Sequence, residues 1–363
     1  MDYKKIYKRK LLWLCGFIGL IIIIKVLSAN TNWVENIYSQ GIYIVISKIL
    51  RWLFGWLPFS IGDVLYLSVI IWVLWKIIRL IIKIYKKRLN RQGLISSFLN
   101  LLLIVMAVYI VFNFLWGMNY NRKSINSQTG LALKKIDTAD LNIIQGLLLQ
   151  KVNESKQALI RQNAPYPDNK ELFERAFNCY QQAEKIFPFL VYKKISVKSS
   201  LFSWWGNYFG FTGYYNPFTG EAQVNTKVPK FILPYTTSHE IAHQLGYAKE
   251  DEANFVGYLA ATASSDTLFH YSTYLDLFLY ANRQIFYTDS LAAKAAVNNL
   301  LTPVKKDIRE LKEFYLRHKN PFEPIIRWAY GKYLKANEQP KGINSYNEVI
   351  ADLIAFYKKY GRI

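Results

Sequence analysis

At 363 residues the chain has room for one sizeable domain with accessories, and its 52% hydrophobic content exceeds that of a typical soluble protein. The formal charge of +21 is uneven: residues 1–117 hold 15 Lys and Arg against 3 Asp and Glu, the remainder 31 against 22. That basicity accompanies the apolar N-terminal runs. With no helix-turn-helix, zinc-knuckle or RNA-binding aromatic motif present, it excludes nucleic acid as the partner and points to a lipid bilayer.

Residues 1–10 are strongly basic and precede an apolar run, about residues 11–28, that is long enough to span a bilayer. Lys25 can snorkel near its outer end. Leu27 makes a poor cleavage residue before Ala29, so an uncleaved anchor is expected. Residues 38–57 are apolar but interrupted by Lys48 and Arg51, and they carry Trp52, Phe54 and Trp56. They read as an amphipathic helix lying in the interface and ended by Pro58, with a further span as the competing reading. A second span is expected over about 61–82, then a short basic loop (Lys83, Lys86, Lys87, Arg88, Arg91), then a third span over about 97–118. Short basic segments stay in the cytoplasm. The N-terminus is therefore expected inside, as a multi-pass protein of a bacterial cell (inner) membrane. Residues 1–118 form the anchor region and 119–363 an extracytoplasmic domain.

After a polar connector, Leu141, Ile144, Leu147, Leu148, Val152 and Leu159 recur at helical spacing, and a second helix is expected over about 169–186. From Val191 to Val228 the chain turns β-branched and aromatic, punctuated by glycines. This predicts a small sheet with a hairpin through Pro217-Phe218-Thr219-Gly220. The strand leaving that turn, Gln223-Val224-Asn225, is the expected substrate-binding edge, where an extended peptide could add as a further strand. An interior strand is the equal alternative.

Next comes His239-Glu240-Ile241-Ala242-His243. Two histidines four apart share one helix face and can grip a single Zn²⁺. Glu240 sits where a carboxylate can take a proton from water on that metal. Gly246 can end the helix in a left-handed cap, letting a second helix from about Lys249 to Ser264 fold back across the first. On that helix Glu250, Ala253, Asn254, Gly257 and Ala261 share a face of mostly small residues. Glu252 falls instead with Phe255, Val256 and Leu259, an ordinary core stripe. Glu250 is therefore the expected third ligand, with Glu252 and then Asp251 as alternatives. Asn254, one turn on, is placed to hydrogen-bond a ligand histidine.

This pattern resembles the gluzincin metallopeptidases, in which HExxH is followed by a helix bearing Glu-x-x-x-Asp. The resemblance implies metal positions at His239, His243 and Glu250, the general base at Glu240, and Asn254 in place of the aspartate. More broadly, spans followed by Asn216-Pro217-Phe218-Thr219-Gly220-Glu221-Ala222 and then the motif are similar to a bacterial family catalogued as domain of unknown function 3810. The expected fold is α+β: a mainly helical zincin-like domain with a small sheet, behind a three-span helical region. The expected function is a membrane-anchored zinc metallopeptidase acting on peptides or proteins outside the cytoplasm. The alternative is a catalytically inactive zincin-like envelope binding or assembly protein.

The tail from Phe269 to Ile363 reads as helical, with breaks near Thr288, Thr302-Pro303, Asn320-Pro321 and Gly342. Tyr330, Tyr333 and Tyr346 could each donate to a tetrahedral oxyanion, and Tyr346 is the first choice. His270 and His318 carry no ligand spacing. Only Cys15 and Cys179 occur, one in a span and one beyond it, so no internal disulfide is expected. This suits a bacterial envelope protein.

Overall fold

Among the described residues, three helices are long and apolar enough to cross a membrane: α1 (Tyr3–Ala29), α3 (Ile61–Tyr85) and α4 (Arg91–Leu115). They belong to a computed structural model that describes residues 3–87, 90–132, 136–342, 344 and 348–363. α1 packs along α4. Tyr7 donates to the Gln92 carbonyl at 2.8 Å and Lys10 to the Ser96 carbonyl at 2.7 Å, so the basic N-terminus and the basic loop lie at the same end. The third of these helices ends at Leu115 rather than continuing to Met118. Beyond it a 3₁₀ turn, Gly117–Asn121, tucks Met118 and Tyr120 into protein with Val34, Tyr38, Tyr43 and Tyr215. That aromatic core spends on protein the residues that a longer span would have shown to lipid.

Between α1 and α3 runs a π-helical stretch, Val34–Ile42, continuing directly into α2 (Tyr43–Phe54). The helix expected here carries a partition the hydropathy alone does not show. Ser39, Tyr43, Ser47 and Arg51, four residues apart, form a buried polar stripe. Ile44, Val45, Ile49, Trp52 and Leu53 are exposed.

The longer helices that follow are α5 (Thr138–Gln162), α6 (Asn169–Ile186), α7 (Ser203–Phe209), α8 (Leu233–Gln244), α9 (Glu250–Ala263), α10 (Thr267–Thr288), α11 (Ser290–Asn298), α12 (Thr302–His318), α13 (Glu323–Ala336) and α14 (Val349–Tyr360). The main core is built where α10 packs on α5 and α9 packs on α6, α8 and α14. The sheet has three strands, β1 (Val197–Ser199), β2 (Gly213–Asn216) and β3 (Glu221–Val224), in the order β1-β3-β2. β3 pairs in parallel with β1, Val197 opposite Ala222, and antiparallel with β2, Tyr215 opposite Ala222.

The β2–β3 turn holds the first turn of α3. Glu221, fully buried, accepts from the backbone N–H of Gly62 at 2.6 Å and of Ile61 at 3.2 Å, the orphan donors of that helix start. Asp63 accepts from the Leu201 N–H at 2.7 Å, from Ser200 and from the Tyr214 hydroxyl. Gly62 has room for no side chain: a Cβ there would lie 2.4 Å from Asn216 Nδ2.

Candidate metal centre

The motif helix α8 starts with Pro234 in its first turn, where its missing N–H is no loss. It runs buried through His239, Glu240 and His243. Gly246 closes it at φ +84°, a conformation glycine adopts without Cβ strain. α9 then folds back, and Gly257 lets the helices meet: a Cβ there would sit 3.2 Å from the His239 backbone nitrogen.

That approach brings Glu250 under both imidazoles. Glu250 Oε2 lies 3.2 Å from His239 Nε2 and 3.5 Å from His243 Nε2, and the three ligand atoms fall within 4.8 Å of one another. The other ring nitrogens are taken: His243 Nδ1 meets the Tyr247 carbonyl at 2.7 Å, and His239 Nδ1 meets Asn254 Oδ1 at 2.7 Å. Both partners are acceptors, so Nδ1 carries the proton in each neutral ring and the Nε2 lone pairs face the carboxylate. Glu250 Oε2 is buried without a hydrogen bond of its own. Two lone pairs and an anion converging in a buried space require a cation between them. A proton can serve: burial would depress the His243 imidazole, but Glu250 outweighs it and pushes it up to about 9. Burial would likewise raise Glu250, yet His243 and His239 hold it below the usual carboxylate range. A divalent metal fits the same donors, since two imidazoles and a carboxylate are the ligand set of many zinc sites.

Glu240 is also buried, and its Oε2 has no hydrogen bond. Burial pushes its carboxyl up to about 7 against the pull of His239 and His243. β2 presses on it: a Cβ on Gly213 would lie 2.5 Å from Glu240 Oε1. Glu252 does not join the group. It faces Lys249, 4.0 Å away, and accepts from the Ile125 N–H, while burial lifts its carboxyl to about 7. Asp251 is likewise outside the group that could hold a metal.

One expectation needs correction. Gln223 and Val224 belong to β3, the central strand, and β3 hydrogen-bonds a neighbour on each side, so it offers no free edge. Asn225 follows it, fully buried, with its side chain spent on Asn207 and Phe211. The strand beside Glu240 with only one neighbour is β2. Tyr346 lies outside the described residues. The tyrosine the structure brings to the group is Tyr330 of α13, whose hydroxyl donates to Glu250 Oε1 at 2.9 Å.

Sequence reasoning missed the clamp on the end of α8. Tyr43 and Ser47 donate to the Gln244 carbonyl at 2.8 and 3.2 Å, and the Trp116 indole donates to the His243 carbonyl at 3.0 Å. Gln244 in turn donates to the carbonyls of Ser196 and Gly220 and accepts from Tyr192. Arg122 donates to the Gly246 carbonyl at 3.1 Å while paired with buried Glu35. The four-residue spacing of Ser39, Tyr43, Ser47 and Arg51 inside an apolar run was the available signal.

Fold and site together define a mainly helical membrane protein with a small sheet and a buried His-His-Glu group able to bind a metal. Over residues 38–354 the chain matches the family described as "Protein of unknown function (DUF3810)", and it belongs to that family. No curated protein and no solved structure matches the chain.

Proposed function

We propose that this protein is a membrane-anchored, zincin-like zinc metallopeptidase working on the extracytoplasmic side. The observation that carries the reading is the convergence of His239, His243 and Glu250, with Glu240 buried beside them and each ligand ring oriented from behind. His239, His243 and Glu250 would hold Zn²⁺, which when bound supplies Lewis acidity and brings the pKa of water to about 7. Glu240 takes a proton from water at its carboxylate and returns it to the leaving amine; a pKa near 7 suits both transfers. Asn254 and the Tyr247 carbonyl keep both rings in the liganding tautomer. Tyr330 takes the donor role beside the reacting carbonyl. The open edge of β2 seats an extended peptide, with Gly213 leaving room at Glu240. The basic N-terminus and basic loop at one end of the spans support a cytoplasmic location for that end, and hence the opposite side for the site.

Metal analysis of the full-length protein in detergent tests the reading. About one zinc per chain is expected, lost in Glu250→Ala and retained in Glu252→Ala. Glu240→Gln should keep the metal and abolish peptide cleavage. Absence of bound zinc after metal supplementation would refute the reading. Retained zinc without cleavage of any library peptide would favour the binding or assembly alternative.

A further inference from the structure

The site is closed: His239 is 8% exposed, Glu240 4%, His243 6% and Glu250 6%. Part of its cover is α13, a helix that buries only Leu334. α13 is held by the Tyr330–Glu250 bond, by Tyr333 facing the Tyr120 hydroxyl at 3.3 Å, and by α7. Tyr330 and Leu334 lie on its inner face. Ile325 and Trp328 lie on the opposite face, and with Phe322 they are more than half exposed. α7 and the turn before it add Leu201, Trp204 and Trp205 to the same kind of surface, also more than half exposed. The two are tied together, since Asn320 before α13 donates to the Tyr208 carbonyl of α7 at 2.7 Å. Six large apolar groups on two linked segments exceed the scattered exposure of an ordinary soluble surface.

What covers them follows from where they are attached. Leu201, at the head of α7, is hydrogen-bonded to Asp63 in the first turn of α3. Tyr333 lies within electrostatic reach of Tyr66, the sixth residue of α3, whose ring is 6.5 Å from that of Tyr214. Five residues of helix advance about 7–8 Å, comparable to the roughly 5–8 Å depth of one headgroup layer. At that level Val64, Leu65 and Leu67 of α3 are already exposed and apolar, as a lipid-facing helix requires. Tyr120, the other partner of Tyr333, stands five residues beyond the end of α4. The aromatic face is thus continuous with the ends of two candidate spans. Its Trp-rich composition suits the membrane interface, where an indole has an apolar body and a hydrogen-bonding edge. Lys319, Arg327, Lys332 and Lys335 border it against Glu323 and Glu338, a balance that suits anionic headgroups.

We propose that the aromatic face of α7 and α13 is seated in the headgroup layer where α3 enters the bilayer, making α13 a membrane-seated cover over the His239–His243–Glu250 group. The seating does not depend on the peptidase reading; only the nature of what passes beneath the cover does. The test is depth measurement on the full-length chain in nanodiscs containing anionic lipid, on a Cys15→Ser background in which Cys179 is buried. A fluorophore is placed through Trp204→Cys, Ile325→Cys or Trp328→Cys, each alone, with Leu291→Cys on α11 as an exposed apolar control. Quenching by lipids nitroxide-labelled near the headgroup should be several-fold stronger at 204, 325 and 328 than at 291, and iodide quenching correspondingly weaker. Iodide quenching equal to that at 291, with no lipid quenching, overturns the proposal. So does shielding from both quenchers, which marks a second copy or a protein partner on this face. Neither readout requires bound metal or turnover, so failure of the metallopeptidase reading is scored separately.

Discussion

Arg122→Met tests how the segment following α4 holds the motif helix. Arg122 makes a two-point pair with Glu35, Nη2 to Oε1 at 2.9 Å and Nε to Oε2 at 3.1 Å, with both side chains about 5% exposed or less. Its Nη1 caps the Gly246 carbonyl, and its guanidinium lies 4.5 Å from the Tyr247 ring. Removing the arginine leaves the Glu35 carboxylate buried with only Gln40, Gln128 and the Lys123 N–H as donors. Such half-removals cost about 3–5 kcal/mol. At roughly 2.1 cal/mol/K of unfolding entropy per residue, the ~245 residues that follow Met118 give about 0.5 kcal/mol/K. The melting temperature should therefore fall by about 6–10 °C. The assay is thermal melting of the full-length protein in detergent, followed by tryptophan fluorescence at one scan rate. Adding Glu35→Leu should recover most of the loss, because the uncompensated charge goes with it. The remaining deficit belongs to the lost cap on Gly246. A fall under about 2 °C for Arg122→Met, or a double variant whose loss equals the sum of the single losses, would refute the coupling.

Other substitutions probe the site itself. Asn254→Ala removes the acceptor behind His239 Nδ1 and should weaken zinc binding about 10–100-fold by competition titration, without unfolding the protein. Gly213→Ala places a methyl group 2.5 Å from Glu240 Oε1, closer than contact allows, so the carboxylate must shift and cleavage should drop while metal content stays; an unchanged rate contradicts the placement of β2. Glu35 supplies the pH dependence: burial pushes its carboxyl up, but Arg122 outweighs this and holds it below the ordinary 4.5. The pair's stabilisation is thus complete above that value and is lost as pH falls through the lower, folded one. Glu35→Gln should flatten the acid limb of a stability–pH curve, and an unaltered limb would show that Glu35 does not set it.

The parts of this molecule legible in the sequence are those whose signal is local. Apolar runs gave the three long helices. Gly246 and Gly257, at their distances from the motif, gave the turn and the close crossing that bring Glu250 and Asn254 to the histidines. Three-residue β1 pairs in parallel with a strand more than twenty residues later, and nothing in its own residues announces this. From its own residues β3 therefore reads equally as an edge or an interior strand, and only the pairing with β1 makes it central. Tyr330 is one of 27 tyrosines, and only the tertiary path of α13 sets it apart. The Tyr43, Ser47 and Arg122 contacts to α8 join positions more than a hundred residues apart, so their partners were unreadable even though the polar stripe was visible.

The cap that Glu221 places on α3 has a mechanical consequence. The turn that grips the first residues of this candidate span also contains Gly220, whose carbonyl accepts from Gln244, the residue following His243. Two hydrogen bonds and a close-packed glycine thus make a short, stiff linkage from α3, a helix long and apolar enough to cross a bilayer, to the helix of His239 and His243. Tilt of α3, which bilayers of different thickness impose through hydrophobic mismatch, becomes an input to site geometry. Zinc affinity should then vary with acyl-chain length in reconstituted membranes, and Gln244→Ala should uncouple the two; an affinity indifferent to thickness in the unmodified protein would show that the linkage is slack.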